Sequence, residues 1–269
     1  MARPAVHPSV SPFSLLSLVA LPALALGGLL LAPGSADARF AAILHGICAQ
    51  RASHSIVAGG QPMALEARMD GIFVGFVAAV VVVWLAGGAR RTALPSGWAL
   101  AVLLAGIGAM GVDGANALMF DTGGPWLYAP RIDLRLATGL LCGVSVAAFI
   151  APSISHMLWR EREPAPFFTS WRDVAMVGVV VGALGFATLT VAVPITVLSA
   201  VAVLSVLFAF WIANAHVCVL AWAGTADAEG WRDLAGYGAM GFVLAAVELV
   251  ALSALRDWME AALHVTWVA

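Results

Sequence analysis

Carboxylates, arginines and a histidine collect in two stretches of the chain that separate long apolar segments. Residues 48–70 contain Cys48, His54, Glu66, Arg68 and Asp70. Residues 113–135 contain Asp113, Asp121, Arg131, Asp133 and Arg135. Charged groups beside hydrocarbon are costly, so they usually pair with one another and face protein or water. The two stretches therefore predict a polar site at the ends of apolar helices.

Two kinds of site fit these residues. A metal or ligand site would use Cys48, His54, Glu66, Asp70 and Asp113, but zinc sites need thiolates and imidazoles at tighter spacing. Arginine forms bidentate pairs with carboxylates, which favours a structural ion-pair cluster with no metal. In that cluster Arg68 and Arg135 bond to Asp70, Asp113 or Asp133. A ligand or partner surface remains the open alternative.

The composition predicts an integral membrane protein in contact with the lipid bilayer. Hydrophobic residues make up 62% of the chain and charged residues 10%, whereas a soluble domain is about a quarter charged. The net charge of -2 disfavours a nucleic-acid partner, which needs a basic surface. The chain lacks a Gly-rich phosphate loop, a nucleophile elbow and a His-Glu-x-x-His motif, so we expect no enzymatic activity.

Seven segments are long and apolar enough to cross a bilayer, which needs about 20 residues. They are Phe13–Ala32, Gly71–Gly88, Gly97–Phe120, Leu136–Trp159, Val174–Val193, Ile195–Ala223 and Leu234–Leu255. The sequence thus predicts an all-α polytopic transmembrane helix bundle. The break between the fifth and sixth spans depends on Pro194, and a re-entrant turn is the alternative there. The first span exceeds the apolar length of a typical signal peptide, which favours an uncleaved helix.

The arginines predict the orientation. Arg90 and Arg91 lie in a short loop without an acid, which is typical of a cytoplasmic loop. This places the N-terminus inside and both charged stretches outside, in a multi-pass protein of the cell membrane, a prokaryotic inner membrane. After Leu255 the chain carries Trp258 and Trp267 among charges, a pattern that predicts a C-terminal interfacial helix.

Two spans begin in the same way. One reads Arg68-x-x-Gly71-x-x-x-Gly75, and the other reads Arg135-x-x-x-Gly139-x-x-x-Gly143. Glycines four residues apart let helix backbones approach closely. Both spans enter the membrane from the same side, so the pattern indicates a parallel repeat of two helix pairs.

The loop motifs resemble an uncharacterised prokaryotic membrane-protein family, domain of unknown function 2085. The resemblance rests on Cys48-Ala49-Gln50, on Ala67-Arg68-Met69-Asp70-Gly71-Ile72-Phe73-Val74-Gly75, on Asp113-Gly114, and on Arg135-Leu136-Ala137-Thr138-Gly139-Leu140-Leu141-Cys142-Gly143. It covers about residues 30–150. It implies that residues 1–160 form a four-helix family core with two extracytoplasmic charged loops. Residues 161–269 then form a three-helix membrane extension.

The chain departs from the family pattern at the residues that could bind a metal. Ala49 stands where the family has His, and His54 stands where it has Arg. Glu66 and Met69 replace two family cysteines. The resemblance therefore implies a divergent member that lacks most of the family Cys and His residues. Such a member retains the family scaffold and has lost any reaction that depends on those residues.

Three residues inside the apolar spans suggest alternative functions. Glu248 is an acid within a predicted span. Ionisable residues at such positions usually mark functional sites, so Glu248 is a candidate functional residue. His156 and His216 fall near the same membrane depth and could ligate a haem iron. We expect no cofactor and an accessory or assembly subunit bound to other membrane-protein subunits. The alternatives are a small-solute or proton-coupled transporter that uses Asp113, Glu248 and Arg135, and a haem or quinone redox subunit.

Overall fold

The structure is a computed structural model that describes residues 34–263. Its α-helices are α1 (Ala36–Leu44), α2 (Ala67–Leu85), α3 (Gly97–Asp121), α4 (Ile132–Leu158), α5 (Trp171–Leu189), α6 (Ile195–Trp222) and α7 (Ala235–Leu263). Its short strands are β1 (Val57–Ala58), β2 (Gln61–Pro62), β3 (Arg91–Ala93) and β4 (Glu163–Pro166). β1 and β2 pair antiparallel, and β3 pairs parallel with β4.

Six of these helices, α2 to α7, are long and apolar enough to cross a membrane. The protein is therefore a multi-pass membrane protein with an all-α helix bundle, as the sequence predicts. The predicted first span, Phe13–Ala32, and its reading as an uncleaved helix lie outside the described residues. The predicted break near Pro194 is confirmed, because α5 ends at Leu189 and Pro194 is the N-cap of α6.

The sequence predicts a separate interfacial helix after Leu255, whereas residues 256–263 continue α7 without a break. The buried guanidinium of Arg256 ties this end of α7 to the loop after α1. It donates to the carbonyl oxygen of His45 at 2.7 Å and to that of Cys48. Its Nε also donates to Glu260 at 2.7 Å, one turn further along the helix.

Glycines bring α2 and α4 into close parallel contact. A β-carbon at Gly71 would lie 2.5 Å from the carbonyl oxygen of Leu136, and one at Gly75 would lie 2.5 Å from that of Leu140. β-Carbons at Gly139 and Gly143 would overlap backbone oxygens of α2. The two Gly-x-x-x-Gly pairs therefore interlock. The sequence predicts close approach at these glycines but does not name the partner helix.

The long helices form a row in the order α3, α4, α2, α6 and α7. α5 packs against α2 and, less extensively, against α4. Most of α3, α5 and α7 lies exposed on the outside of this arrangement, with 17–22% of each apolar window buried. The core lies along α2, α4 and α6, whose windows are 44–56% buried.

Successive helices alternate in direction, so the connecting segments fall on two faces. We name the face with residues 45–66 and 122–131 the site face, because both charged stretches meet there. We name the face with residues 86–96, 159–170 and 223–230 the opposite face. Side-chain contacts join the segments within each face, as between Arg51 and Asp121 on the site face and between Arg160 and Glu229 on the opposite face.

Candidate functional site

Asp113 is the centre of the first polar group on the site face. It lies on α3, is only 2% exposed, and binds three side chains. Arg68, in the first turn of α2, places Nη2 2.5 Å from Oδ2 and 3.2 Å from the carbonyl oxygen of Asp113. The hydroxyl of Tyr128 donates to Oδ1 at 2.7 Å, and Thr138 of α4 donates to Oδ2 at 3.4 Å. One carboxylate thus connects α2, α3, α4 and the loop 122–131.

Asn116 positions the loop that carries Tyr128. Its carboxamide oxygen accepts from the backbone N–H groups of Leu127 at 2.7 Å and Tyr128 at 3.3 Å, and its amide nitrogen donates to the Tyr128 carbonyl at 2.9 Å. The hydrogen bond to Asp113 raises the pKa of the Tyr128 hydroxyl, which therefore stays a donor. Tyr128 was not predicted as a site residue. The one signal in the sequence is Asn116, a polar residue one turn after Asp113 that could hold the following loop.

His54 is the centre of the second polar group. Its side chain is 5% exposed, with Nδ1 3.4 Å from Glu66 Oε2 and Nε2 3.2 Å from Asp121 Oδ2. Arg51 contacts the same two carboxylates, with Nε 3.3 Å from Glu66 and Nη1 3.5 Å from Asp121. The backbone N–H of Arg51 also donates to Glu66 at 3.1 Å. This group joins the loop 45–66 to the end of α3.

The imidazole and the thiol of this group are held in their neutral forms. Burial lowers the pKa of His54, and the positive charges of Arg135 and Arg51 lower it further, against the opposing effect of its two carboxylate neighbours. Burial raises the pKa of the Cys48 thiol, although its sulfur accepts a hydrogen bond from the backbone N–H of Glu66 at 3.3 Å. Near neutral pH the imidazole is therefore not a cation, and the thiol is not in its nucleophilic thiolate form.

Arg135 lies between the two groups but bonds to neither. It is 4% exposed and within electrostatic range of Arg68, Asp113, Asp121 and Glu66. Its side chain makes no hydrogen bond and no ion pair with any residue from 34 to 263. The expected pairing with a carboxylate is thus found for Arg68 and not for Arg135.

Asp70 and Asp133 lie outside this network. Asp70 follows Arg68 by two residues, about 200° around the helix, so the two side chains leave α2 on opposite sides. Asp70 is 2% exposed, and its Oδ1 has no hydrogen-bond partner among the described residues. Asp133 instead pairs with Arg131 at the surface, with Oδ2 2.5 Å from Nη2.

The site can tie loops to helices, and its geometry does not assemble a metal centre. Within residues 34–263 no three His, Cys, Asp or Glu side chains converge to hold a metal ion. The three cysteines, Cys48, Cys142 and Cys218, are all free and buried. Buried free cysteines of this kind usually act as small packing residues.

The other predicted functional residues lie away from the site. Glu248 is exposed on α7, and Asn214 of α6 donates to its Oε2 at 2.8 Å. Asp113 and Glu248 lie on helices at opposite ends of the row, so a transport path through both would cross the whole bundle. His156 is exposed near the end of α4, and His216 is half-buried on α6 with no partner for Nδ1 within the described part of the chain.

Comparison with known proteins agrees with the motifs of the site face. No curated protein and no solved structure matches the chain. Residues 48–149 match the model of the family described as predicted membrane protein (DUF2085), and these residues include both polar groups of the site. The resemblance inferred from the loop motifs is thereby confirmed for this segment of the chain.

Proposed function

We propose that the protein is a non-enzymatic accessory or assembly subunit of a larger membrane complex. The observation that supports this most directly is the pair of Glu248 and Asn214 on the exposed surface of α6 and α7. Glu248 comes 13 residues after Ala235, the first residue of α7, and 15 residues before its last, Leu263. It therefore lies about 20 Å from either end of the helix, within the depth of the hydrocarbon.

An acid at this depth is costly when it faces lipid. Insertion measurements place the cost of a charged residue at the centre of a membrane helix at about 2.5–3.5 kcal/mol. Asn214 satisfies one oxygen of Glu248, and the surrounding surface is apolar, since Val247 is 59% and Val250 is 66% exposed. A polar group within an exposed apolar stripe favours contact with another protein over contact with lipid.

The partner that fits this surface is a transmembrane helix with a hydrogen-bond donor at the depth of Glu248. Serine, threonine, asparagine and glutamine side chains act in this way between membrane helices. Small residues beside the donor would allow close approach to Val247 and Val250. The partner surface would then be formed by α6 and α7, on the flank of the bundle farthest from α3.

Site-specific cross-linking in native membranes tests this proposal. A photo-reactive residue at position 247 should cross-link to another membrane protein, and Glu248→Leu should abolish the product. The matched control is a photo-reactive residue at Val179 on α5, which is 71% exposed but has no acid beside it. No product at position 247, a product equally strong after Glu248→Leu, or a homodimer alone would contradict an accessory role.

We further propose that the protein lies in the cell membrane with the site face outside. The support is the pair Arg90-Arg91 on the opposite face, which is typical of cytoplasmic loops. Ala129→Cys on the site face should then react with an impermeant thiol reagent in intact cells. Glu161→Cys on the opposite face should react only after the membrane is disrupted. The reverse pattern would invert the orientation.

A further inference from the structure

A cavity of about 510 Å³ lies between α6 and α7 near the opposite face, beside the last turns of α2 and α4. Binding sites for small molecules commonly have volumes of about 300–1,000 Å³ and walls that are mostly apolar and aromatic. The aromatic residues that line this cavity are Trp84, Trp211, Trp231, Tyr237 and Phe242. Its volume and its lining therefore both suit an apolar molecule.

The cavity lies at the surface of the bundle, within reach of the bilayer. Trp231 precedes α7, and Phe242 lies seven residues after Ala235, which is about 10 Å along the helix. Trp211 and Trp231 are also 37% and 57% exposed. A molecule dissolved in the membrane can therefore enter the cavity from the side.

Tyr237 places an unpaired hydroxyl in this wall. The residue is 4% exposed, and its hydroxyl makes no hydrogen bond with any of residues 34–263. Trp211 differs, because its indole N–H donates to the carbonyl oxygen of Gly238 at 2.8 Å. A buried tyrosine hydroxyl usually has a partner, and its absence is costly. The hydroxyl of Tyr237 therefore calls for an acceptor from outside the chain.

Trp84 carries a second unpaired donor in the same wall. Its Nε1 is buried and has no hydrogen-bond partner in the described part of the chain. The ring of Trp84 lies 5.5 Å from that of Trp231, which in turn lies 4.7 Å from the ring of Trp159. The Nε1 of Trp159 is buried without a partner as well. This end of the bundle thus combines packed aromatic rings with donors that lack acceptors.

We propose that this cavity binds a planar apolar molecule of the quinone class and that Tyr237 donates to one of its carbonyl oxygens. An electron-poor quinone ring stacks favourably on aromatic faces, and its carbonyl oxygens supply the missing acceptors. A saturated acyl chain would fill the volume but leave the hydroxyl of Tyr237 unpaired. Water is disfavoured, because the remaining walls are apolar. The site goes beyond the accessory role and is separate from the partner surface around Glu248.

Two ligands of the same shape test this proposal. Menadione is a methylated naphthoquinone, and methylnaphthalene has the same rings without the carbonyl groups. Calorimetric titration of the full-length protein in phosphatidylcholine nanodiscs, with empty nanodiscs subtracted, measures both. One menadione should bind per chain, at least about tenfold more tightly than methylnaphthalene.

Tyr237→Phe removes the donor and keeps the ring. It should weaken menadione binding by about fivefold to tenfold and leave methylnaphthalene binding unchanged. Without ligand its unfolding temperature should not fall, because the hydroxyl that it removes is unpaired. Absence of menadione binding, equal affinity for the two ligands, or unchanged menadione affinity in Tyr237→Phe would overturn the proposal.

A second cavity of the bundle provides the matched control. It lies between α3, α4 and α5, has a volume of about 420 Å³, and is lined in part by Gly182, whose added β-carbon would meet nothing within 4 Å. Ala239→Leu fills the proposed site and should weaken the binding of both ligands, whereas Gly182→Leu should leave both unchanged. A loss in Gly182→Leu as large as that in Ala239→Leu would place the ligand elsewhere and refute the site. Tyr237→Phe keeps the test decisive if Ala239→Leu does not fold.

Discussion

Both faces of the bundle combine exposed and buried ion pairs, and the two kinds contribute differently to the structure. On the opposite face, Arg90 pairs with Glu161 at 2.8 Å and Arg160 with Glu229 at 2.5 Å, and all four side chains are at least 40% exposed. On the site face, Arg68 and Asp113 are 20% and 3% exposed. Exposed pairs contribute little to stability, whereas a buried pair becomes costly when one partner is removed. The opposite face also has one buried pair, in which Arg91 and Asp173 are 11% and 6% exposed and lie 2.8 Å apart. The buried pairs are therefore the structural ones, and on the site face the buried pair belongs to a network that includes Tyr128.

The two faces also differ in how far the backbone joins their segments. The segments of the opposite face are joined by main-chain bonds, through the parallel pair of β3 and β4 and the bridge between Trp159 and Ala228. On the site face, side chains connect the segments to the helices, as Asn116 does for residues 127 and 128 and Arg256 does for residues 45 and 48. Removal of one polar side chain there leaves a segment without its anchor.

The largest difference between the faces should appear in Asp113→Ala. This change leaves Arg68 without its carboxylate and Tyr128 without its acceptor, so we expect a loss of about 3–5 kcal/mol in unfolding free energy. Glu229→Ala on the opposite face should cost about 0–1 kcal/mol, because its pair with Arg160 is exposed. Thermal or denaturant unfolding in detergent measures both. Equal losses would show that removal of the buried acid costs no more than removal of the exposed acid.

The sequence predicts the helices and the ion pair of the first polar group, but not the contacts of the second. Apolar length predicts α2 to α7, and the glycine spacing predicts close helix packing at residues 71–75 and 139–143, because both depend on local pattern. The spacing does not predict that these two helices pack on each other. The pairing of Arg68 with Asp113 follows from charges at neighbouring helix ends. The meeting of His54 with Asp121 does not, because the two residues are 67 positions apart and their contact depends on the path of two loops. Sequence periodicity reports which side of a helix is buried, not which loop covers it.

A second comparison concerns the scaffold that places the site. Gly143→Ala should force α4 away from the backbone of α2, and overpacking of this kind costs about 1–3 kcal/mol. Gly178→Ala on α5 meets open space, with nothing within 4 Å of the added β-carbon, and should be neutral or slightly stabilising. The unfolding temperatures of the two variants provide the measurement. A loss in Gly178→Ala as large as that in Gly143→Ala would show that close packing is not the cause.

A third comparison separates two buried acids on the site face. Asp113 has three side-chain partners, whereas Asp70 has none among residues 34–263. Asp70→Asn removes no ion pair and should change the unfolding free energy by no more than about 1 kcal/mol. Asp113→Asn removes the charge that Arg68 requires and should cost clearly more. A larger loss for Asp70→Asn would reveal a cation beside Asp70 and reverse the roles of the two acids.

The smallest expected effect is the pH dependence contributed by His54. Burial and the charges of Arg135 and Arg51 lower its pKa in the folded protein below the ordinary value of about 6.5. The unfolded chain therefore binds a proton first as the pH falls. The stability contributed by neutral His54 is complete above about pH 6.5 and decreases as the pH falls toward the lowered folded pKa.

Unfolding temperatures from about pH 7.5 to about pH 5.5 should decline less in His54→Gln than in the unaltered protein. Arg131→Gln, which leaves His54 in place on the same face, should retain the full decline. A decline that is unchanged in His54→Gln would mean that the two carboxylates beside His54 outweigh burial and the arginines, and that the imidazole is not held neutral by the site.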